Sequence, residues 1–396
     1  MSTPRVVITH ALRTPIGKYL GSFADLSAAD LGTSVVTDLM ERSGVDAQRV
    51  GELVFGNGRQ AGGGPNVARQ VAFRAIGQHV PATTLNMACG SGLKSLATVV
   101  DSIRLGHYDV AVAGGAESMS GLPFFLPKFR RGYRMGHAPV VDAMYKDGFV
   151  CPLADMVMGE TAEKLAQDLG ITRAQQDEFG HSSQQKAGAA IEAGRFADEL
   201  SPVEVATRRE TLTITADEHV RPDVTVEKMG KLPAVFDREN GTVTAGNSSG
   251  ITDGAAALMV MSEDAANEFG LEPLAWVGDT RQAGIDPKIM GVGPVPAVRS
   301  LQEANGLAVD DYDLIELNEA FAAQVLACDR ELSLPMDRVN VNGGSIALGH
   351  PIGATGARIV VTLLHELKRR GGEHGLATLC ISGGMGLATA LHRSPR

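Results

Sequence analysis

Thr83-Thr84-Leu85-Asn86-Met87-Ala88-Cys89-Gly90-Ser91-Gly92 is followed by Leu93, Leu96, Val99, Val100 and Ile103 at helical spacing. An extended run from Thr83 to Ala88 that enters a glycine turn and leaves as an apolar helix face reads as a strand delivering a cysteine to a helix start. The free N–H groups there would favour the thiolate of Cys89, and glycines at 90 and 92 leave room for a carbonyl to approach the backbone. A buried structural cysteine is the other reading of this segment taken alone.

Outward from this junction the pattern is alternating strand and helix. Val6 to Thr9 is an apolar run, and Ser27 with Asp30 forms a capping box before Leu31, Val35 and Leu39. A strand is expected near Leu53 to Phe55, then a helix with Pro65 in its first turn. After the Cys89 helix, which ends near Gly106, Val110 to Ala113 reads as a buried strand closed by Gly114-Gly115. The last third repeats the plan: a strand at Leu274 to Gly278, a helix from Val295 to Ala304, and a strand at Leu314 to Leu317. Val339 to Val341 then enters Asn342-Gly343-Gly344-Ser345, a helix follows from Ala354 to Arg369, and Ala377 to Ile381 enters Ser382-Gly383-Gly384. Two α/β halves of one design are the simplest account. The expected division is residues 1–118, an inserted segment 119–249 with basic and Pro/Gly-rich stretches, residues 250–272 completing the first half, and residues 273–396. So long an insertion serves as a lid, an oligomerisation arm or both. Helices are expected at Met158-Gly159-Glu160-Thr161 and after Thr172 with Gln175.

The whole chain has 396 residues, 44% hydrophobic and 21% charged, which excludes disorder. With 36 Lys+Arg against 46 Asp+Glu the net charge is −10, opposite to the footprint of a nucleic-acid binder, so nucleic acid is not expected as a partner. Phosphate-bearing ligands must then be held by a local basic patch. The 4 cysteines (Cys89, Cys151, Cys328, Cys380) are too far apart for a CxxC metal or redox motif, so no metal is expected and a reducing compartment fits. The start lacks the n- and h-regions of a signal peptide, and no apolar run approaches a membrane span of roughly 18 residues. A cytoplasmic enzyme without membrane partners is expected. No GxGxxG follows the first strand, which removes a nucleotide-dependent dehydrogenase.

A thiolate nucleophile needs a base, and Gly349-His350-Pro351-Ile352-Gly353 places a histidine on a tight turn before a helix. Neutral imidazole has one donor and one acceptor nitrogen, so His350 could deprotonate Cys89 or donate to an oxyanion. Cys380 ends an apolar strand, and a second positioned thiol suits proton transfer at a carbon next to a thioester. Asn318 ends another strand, where its amide could anchor a water. Cys89, Asn318, His350 and Cys380 are all expected at carboxyl ends of strands, the usual place for an α/β site. Cys151 and Cys328 read as structural.

At these residues the chain resembles the thiolase family over essentially its full length. The resemblance rests on Asn86-Met87-Ala88-Cys89-Gly90-Ser91-Gly92, Asn318-Glu319-Ala320-Phe321-Ala322, Gly349-His350-Pro351-Ile352-Gly353, and Cys380 with its Gly-Gly-Met-Gly tail. It implies a five-layer αβαβα fold, two similar halves plus an inserted loop domain, and a homotetramer built as a dimer of dimers. It implies coenzyme A thioesters as substrates and no permanently bound cofactor. Cys89, activated by His350, would carry the acyl group and Cys380 would exchange the proton. His350 with a water on Asn318 would form one oxyanion hole, and the backbone N–H groups of Cys89 and Ser382 the other. For CoA and the acyl chain it points to Ser249, Arg221, Met158, Met290, Phe321 and Phe149. The implied activity is reversible condensation and thiolysis by an acetyl-CoA C-acetyltransferase acting on acetoacetyl-CoA. A longer-chain degradative 3-ketoacyl-CoA thiolase is the alternative, and a non-catalytic lipid-binding protein of the same fold a remoter one.

Two departures bear on the site. Ser382 stands where the family often has glycine, and an ordinary φ is expected there, because a positive φ would strain serine. Val157 stands where short-chain members often have histidine, which opens the pocket to longer or branched chains. A decarboxylating condensing enzyme would complete its site with a second His or an Asn; Cys380 argues for proton abstraction instead.

Overall fold

Two runs of alternating strand and helix build the chain, and the computed structural model describes them over residues 3–395. Met1 and Ser2, part of the segment read for a leader, and Arg396 lie outside the described residues. The first run is β1 (Val6–Arg13), α1 (Ala28–Ser43), β2 (Glu52–Gly56), α2 (Val67–Ala75), β3 (Ala82–Leu85), α3 (Ser91–Arg104) and β4 (Val110–Glu117). The insertion carries α4 (Met158–Leu169) and α5 (Arg173–Glu192), after which β5 (Thr252–Ser262) returns to the sheet. The second run is β6 (Ala275–Gly284), α6 (Pro294–Asn305), β7 (Leu314–Leu317), α7 (Ala322–Leu332), α8 (Ser345–Leu348), α9 (Ile352–Arg370), β8 (His374–Ile381) and β9 (Met385–His392).

Local chemistry sets the boundaries. Ser27 and Asp30 form the reciprocal capping box of α1, and Gly44 closes it in the left-handed region. Pro65 does not sit in the first turn of α2; Asn66 is the cap, its side chain accepting from the Arg69 N–H at 2.9 Å. Gly114-Gly115 does not close β4 either. The strand continues to Glu117, and Gly115 is where the Gly353 carbonyl oxygen comes so close that a Cβ would collide with it.

The main sheet runs β7-β8-β9-β6-β1-β5-β4-β2-β3. β2 is parallel to β3 and β4, β7 is parallel to β8, and the other neighbours are antiparallel. The first half is therefore ordered β3-β2-β4-β5-β1. The second is ordered β7-β8-β9-β6, with Val339 bridging Ile315 on the outer side of β7 in the place that β3 takes in the first half. The permutation is the same in both, which is what a repeated unit requires. Only Val339 of the expected strand from Val339 to Val341 pairs, because Asn340 has φ +45° and turns the chain. Its side chain is bonded to the Leu317 N–H (2.9 Å) and carbonyl (2.8 Å) instead. The halves meet where β1 touches β6, Val7 opposite Trp276 and Ile8 opposite Ala275.

Helices α3 and α9 pack against each other between the two halves of the sheet. Together with Val54, Leu258, Leu379 and Leu391 they form the central core. α9 is buried on nearly every side, its polar stripe of Thr355, Arg358, Thr362 and Glu366 included. α1 and α2 cover the outer face of the first half, and α6 and α7 that of the second. The result is five layers, αβαβα, as the resemblance implied. Arg13 on β1, fully buried, ties the insertion to this body through Glu199 at 2.5 Å and Asp217 at 2.7 Å. Among the described residues no helix is long and apolar enough to cross a membrane.

Candidate active site

The chain leaves β3 at Leu85 and reaches Cys89 through a turn built from its own polar atoms. Asn86 Oδ1 accepts from the Ala88 N–H at 2.9 Å, and Ser91 Oγ accepts from the Met87 N–H at 2.9 Å while donating to the Ala88 carbonyl at 2.7 Å. Ala88 is held at φ +46°, a conformation unfavourable for a residue with a Cβ. This bend sets Cys89 one residue before the Gly90 cap of α3. The backbone N–H groups of Cys89 and Ser382 lie near enough to its sulfur to lower the thiol pKa.

Ser382 belongs to the turn of the β8–β9 hairpin, where Ile381 pairs with Met385. Positive φ falls on Gly383 (+89°) and Gly384 (+81°), and Ser382 is not among the described non-glycine residues with positive φ, as expected from its side chain. Cys380, one residue before Ile381, is fully buried and close enough to Cys89 for the two sulfurs to interact electrostatically. It packs in one cluster with Met158, Met290, Cys151 and Ala320, and Phe321 covers that cluster. The second half adds Asn318 after β7 and His350 before α9. The segment Ser249-Gly250 links them: the Ser249 N–H donates to Ala320 O at 3.0 Å, and the His350 N–H donates to Gly250 O at 3.2 Å.

Burial dominates the electrostatics. The Cys89 thiol is pushed above its ordinary range by desolvation, only partly offset by the Arg59 charge and the two N–H groups. The expectation that a helix start would favour a resting thiolate is therefore overturned: losing water outweighs the helix end. Burial, then the charges of Arg59 and Arg358, push His350 down to about 3, so its imidazole is neutral. Burial, with the neighbouring Cys89, holds the Cys380 thiol well above the usual value. All three groups are uncharged at rest. Among the described residues, the buried polar atoms without a partner include His350 Nε2, Asn318 Nδ2 and Arg59 Nε. Such orphans are costly unless a ligand or water completes them.

Sequence reading missed a buried pair beside the thiol. Glu117, at the end of β4, accepts from the N–H groups of Gly58 (2.9 Å), Arg59 (3.0 Å) and Gly353 (2.8 Å) and from Asn57 Nδ2 (2.6 Å). It clamps the His350 turn of one half onto the loop of the other, and burial raises its pKa to about 7. Arg59 donates to the carbonyls of Gly58 (3.4 Å) and Asp147 (3.3 Å), and its guanidinium fills the space that a Cβ on Gly148 would need. It borders a cavity of about 280 Å³ lined also by Asn86, Ala88, Cys151, Leu153 and Ser382. A carboxylate closing an apolar run at Ala116-Glu117 was the only signal available. Since a cation favours the thiolate, Arg59→Met should move the pH profile of Cys89 alkylation by iodoacetamide toward higher pH. An unchanged profile would remove Arg59 from the electrostatics of the site.

The remaining sequence candidates divide. Phe149 packs on the core that holds Cys89, edge-to-face with Tyr145 at 5.6 Å, and is not part of the Met158 and Met290 cluster. Arg221 is exposed; its N–H donates to Gln184 Oε1 at 2.7 Å, and among the described residues no contact brings it to the thiols. Cys328 lies in α7 and bonds Gly291 O at 3.4 Å, a structural role. Cys151 is not remote filler, since it lines the cavity beside Cys380.

Comparison with known proteins places the whole chain. Residues 6–264 match the thiolase N-terminal domain and residues 271–393 the thiolase C-terminal domain. An acetyl-CoA acetyltransferase of Pseudomonas aeruginosa is 51% identical over 390 residues, covering 98% of this chain and 99% of the relative. The crystal structure of the Bacillus anthracis acetyl-CoA acetyltransferase superimposes with a TM-score of 0.97 at 43% identity, covering 99% of each chain. The human mitochondrial 3-ketoacyl-CoA thiolase in complex with CoA does so with 0.94 at 39% identity, again over 99% of each. With both domains matched and the likeness spanning the whole length, the chain belongs to the thiolase family.

Proposed function

We propose that this thiolase, an acyltransferase working on CoA thioesters, is an acetyl-CoA C-acetyltransferase that interconverts acetoacetyl-CoA plus CoA with two molecules of acetyl-CoA. What supports the reading is a pair of buried neutral thiols that feel each other, a neutral histidine that feels the same Arg59 as Cys89 and has an Nε2 without a partner among the described residues, and the N–H groups of Cys89 and Ser382 beside one sulfur.

In thiolysis, Cys89 gives its proton to His350 Nε2 as the sulfur attacks the C3 carbonyl, and the oxyanion is held by the N–H groups of Cys89 and Ser382. The C2–C3 bond breaks, leaving the acyl group on Cys89, and Cys380 gives its proton to C2 of the departing acetyl-CoA enolate. While negative, the enolate oxygen is held by the proton now on His350 and by a water on Asn318. The Cys380 thiolate then takes the proton of CoA, whose sulfur attacks the thioester on Cys89, and His350 returns a proton to Cys89. Condensation reverses every step. Ser249, Met158, Met290, Phe321 and Phe149 border the path for pantetheine and acyl chain, and Arg221 reaches the CoA phosphates from the surface. No resident cofactor is required by these steps. Unpaired Cys89, Cys151, Cys328 and Cys380 suit a cytoplasmic setting. A homotetramer would cover the exposed Phe124, Phe129, Met135 and Val140 of the insertion.

Val157 keeps the longer-chain reading in play. Thiolysis rates across 3-ketoacyl-CoA chain lengths test the proposal: kcat/KM should be greatest for the four-carbon substrate. A maximum at eight or more carbons (roughly the span that an enlarged apolar pocket would bury) would replace acetoacetyl-CoA by the degradative alternative.

A further inference from the structure

An amide can face a substrate with its oxygen or its nitrogen, and these do opposite things to a developing anion. Asn318 is fully buried, and its backbone N–H is committed to Thr378 O at 3.0 Å, so its neighbours decide which end of the side chain faces inward. Ser345, also fully buried at the start of α8, lies with Oγ 2.6 Å from Asn318 Oδ1. On its other side Arg358 Nη2 is 3.4 Å from the same Oγ, while Arg358 Nη1 reaches Glu316 Oε2 at 3.4 Å. A guanidinium has donors only. The serine oxygen therefore receives from Arg358, and its proton goes to the Asn318 carbonyl. Reversing the amide would set its NH₂ group against a hydroxyl already facing a donor and strip the serine proton of its acceptor. The consequence lies at the far end of the amide, where Nδ2 is buried and without a partner.

We infer that Ser345 is a positioning residue: its hydroxyl, backed by Arg358 and Glu316, locks the Asn318 amide with Nδ2 toward the enolate side of the site. Asn318 then donates, either to the enolate oxygen or to the water in contact with it, and the second oxyanion hole has a defined polarity. The inference rests on the assignment of Asn318 to the enolate under the proposed function. Free to rotate, the amide would spend part of its time presenting an oxygen lone pair to an anion.

Ser345→Ala removes only the hydroxyl and keeps the backbone of α8. Two rates are compared in each protein: acetyl transfer from acetyl-CoA to Cys89, followed by mass spectrometry, and exchange of the acetyl-CoA methyl protons in D₂O. Transfer uses the N–H groups of Cys89 and Ser382 and should stay within about twofold of wild type. Exchange passes through the enolate and should fall by about tenfold or more, in the range for weakening one oxyanion donor. Exchange at the wild-type rate, or an equal fall in both rates, would overturn the positioning role, since a merely structural serine changes both together. Absence of acetyl-Cys89 in the wild-type protein would be a different failure, that of the site assignment itself.

Discussion

His350→Ala should lower kcat for acetoacetyl-CoA thiolysis by about 10²- to 10⁴-fold, the range for losing a general base, and Cys89→Ala should abolish the acetyl adduct seen by mass spectrometry. The reason is the resting charge state. Cys89 is a protonated thiol because burial outweighs Arg59 and the two N–H groups, so its proton must leave as the sulfur attacks. His350 can take it because its tautomer is set from behind. Thr355 Oγ1 donates to Pro351 O at 3.0 Å and lies 2.6 Å from His350 Nδ1, so Nδ1 carries the hydrogen and Nε2 the lone pair. An imidazole pushed down to about 3 is a weak base in isolation. The thiolate forming beside it supplies the negative charge that the site otherwise lacks, and the two ionise as a pair. The sign follows directly: the folded pKa is depressed, so His350 stays neutral above about pH 4. The profile of kcat/KM should then lack an acid limb near the ordinary histidine value of about 6.5. A limb there that vanished in His350→Ala would show that the imidazole titrates freely and defeat this account.

The two halves are legible because strand, glycine turn and helix recur in one order, and local pattern suffices to see that. β5 is less so: Asp253-Gly254-Ala255-Ala256-Ala257 offers no β-branched run, and its extended form comes from lying between β1 and β4. Cys89, His350 and Cys380 could be read because each follows or starts a glycine turn, a property of its own segment. Glu117, Thr355 and Ser345 could not, since their roles exist only in contacts. Glu117 meets Gly353, a residue 236 positions away, and nothing near either residue announces the meeting. The thiol pKa failed for a related reason. A helix start is visible in sequence and burial at a junction between halves is not, and here burial decides the sign.

Cys380→Ser should leave acylation of Cys89 by acetyl-CoA measurable while cutting both methyl-proton exchange and net thiolysis by about 10²- to 10⁴-fold. Serine keeps the shape but holds its proton far too tightly to serve as an acid or base at carbon. The selectivity comes from the coupling of the two thiols. Burial is the main reason Cys380 resists ionisation, and the charge of Cys89 adds to it. Cys89 exerts that repulsion only when it is itself ionised, and as a thioester it cannot ionise. In the acyl-enzyme the Cys380 thiolate therefore forms with no competing charge on Cys89, which places proton transfer at carbon after acyl transfer in the condensing direction. The same argument orders alkylation. At alkaline pH, where the free Cys89 ionises, iodoacetamide should modify Cys380 faster after acetylation of Cys89 than before, once the acetyl-enzyme is freed of excess acetyl-CoA. Exchange that survives in Cys380→Ser, or a Cys380 that reacts at the same rate in both forms, would remove the coupling and leave the second thiol without its chemical task.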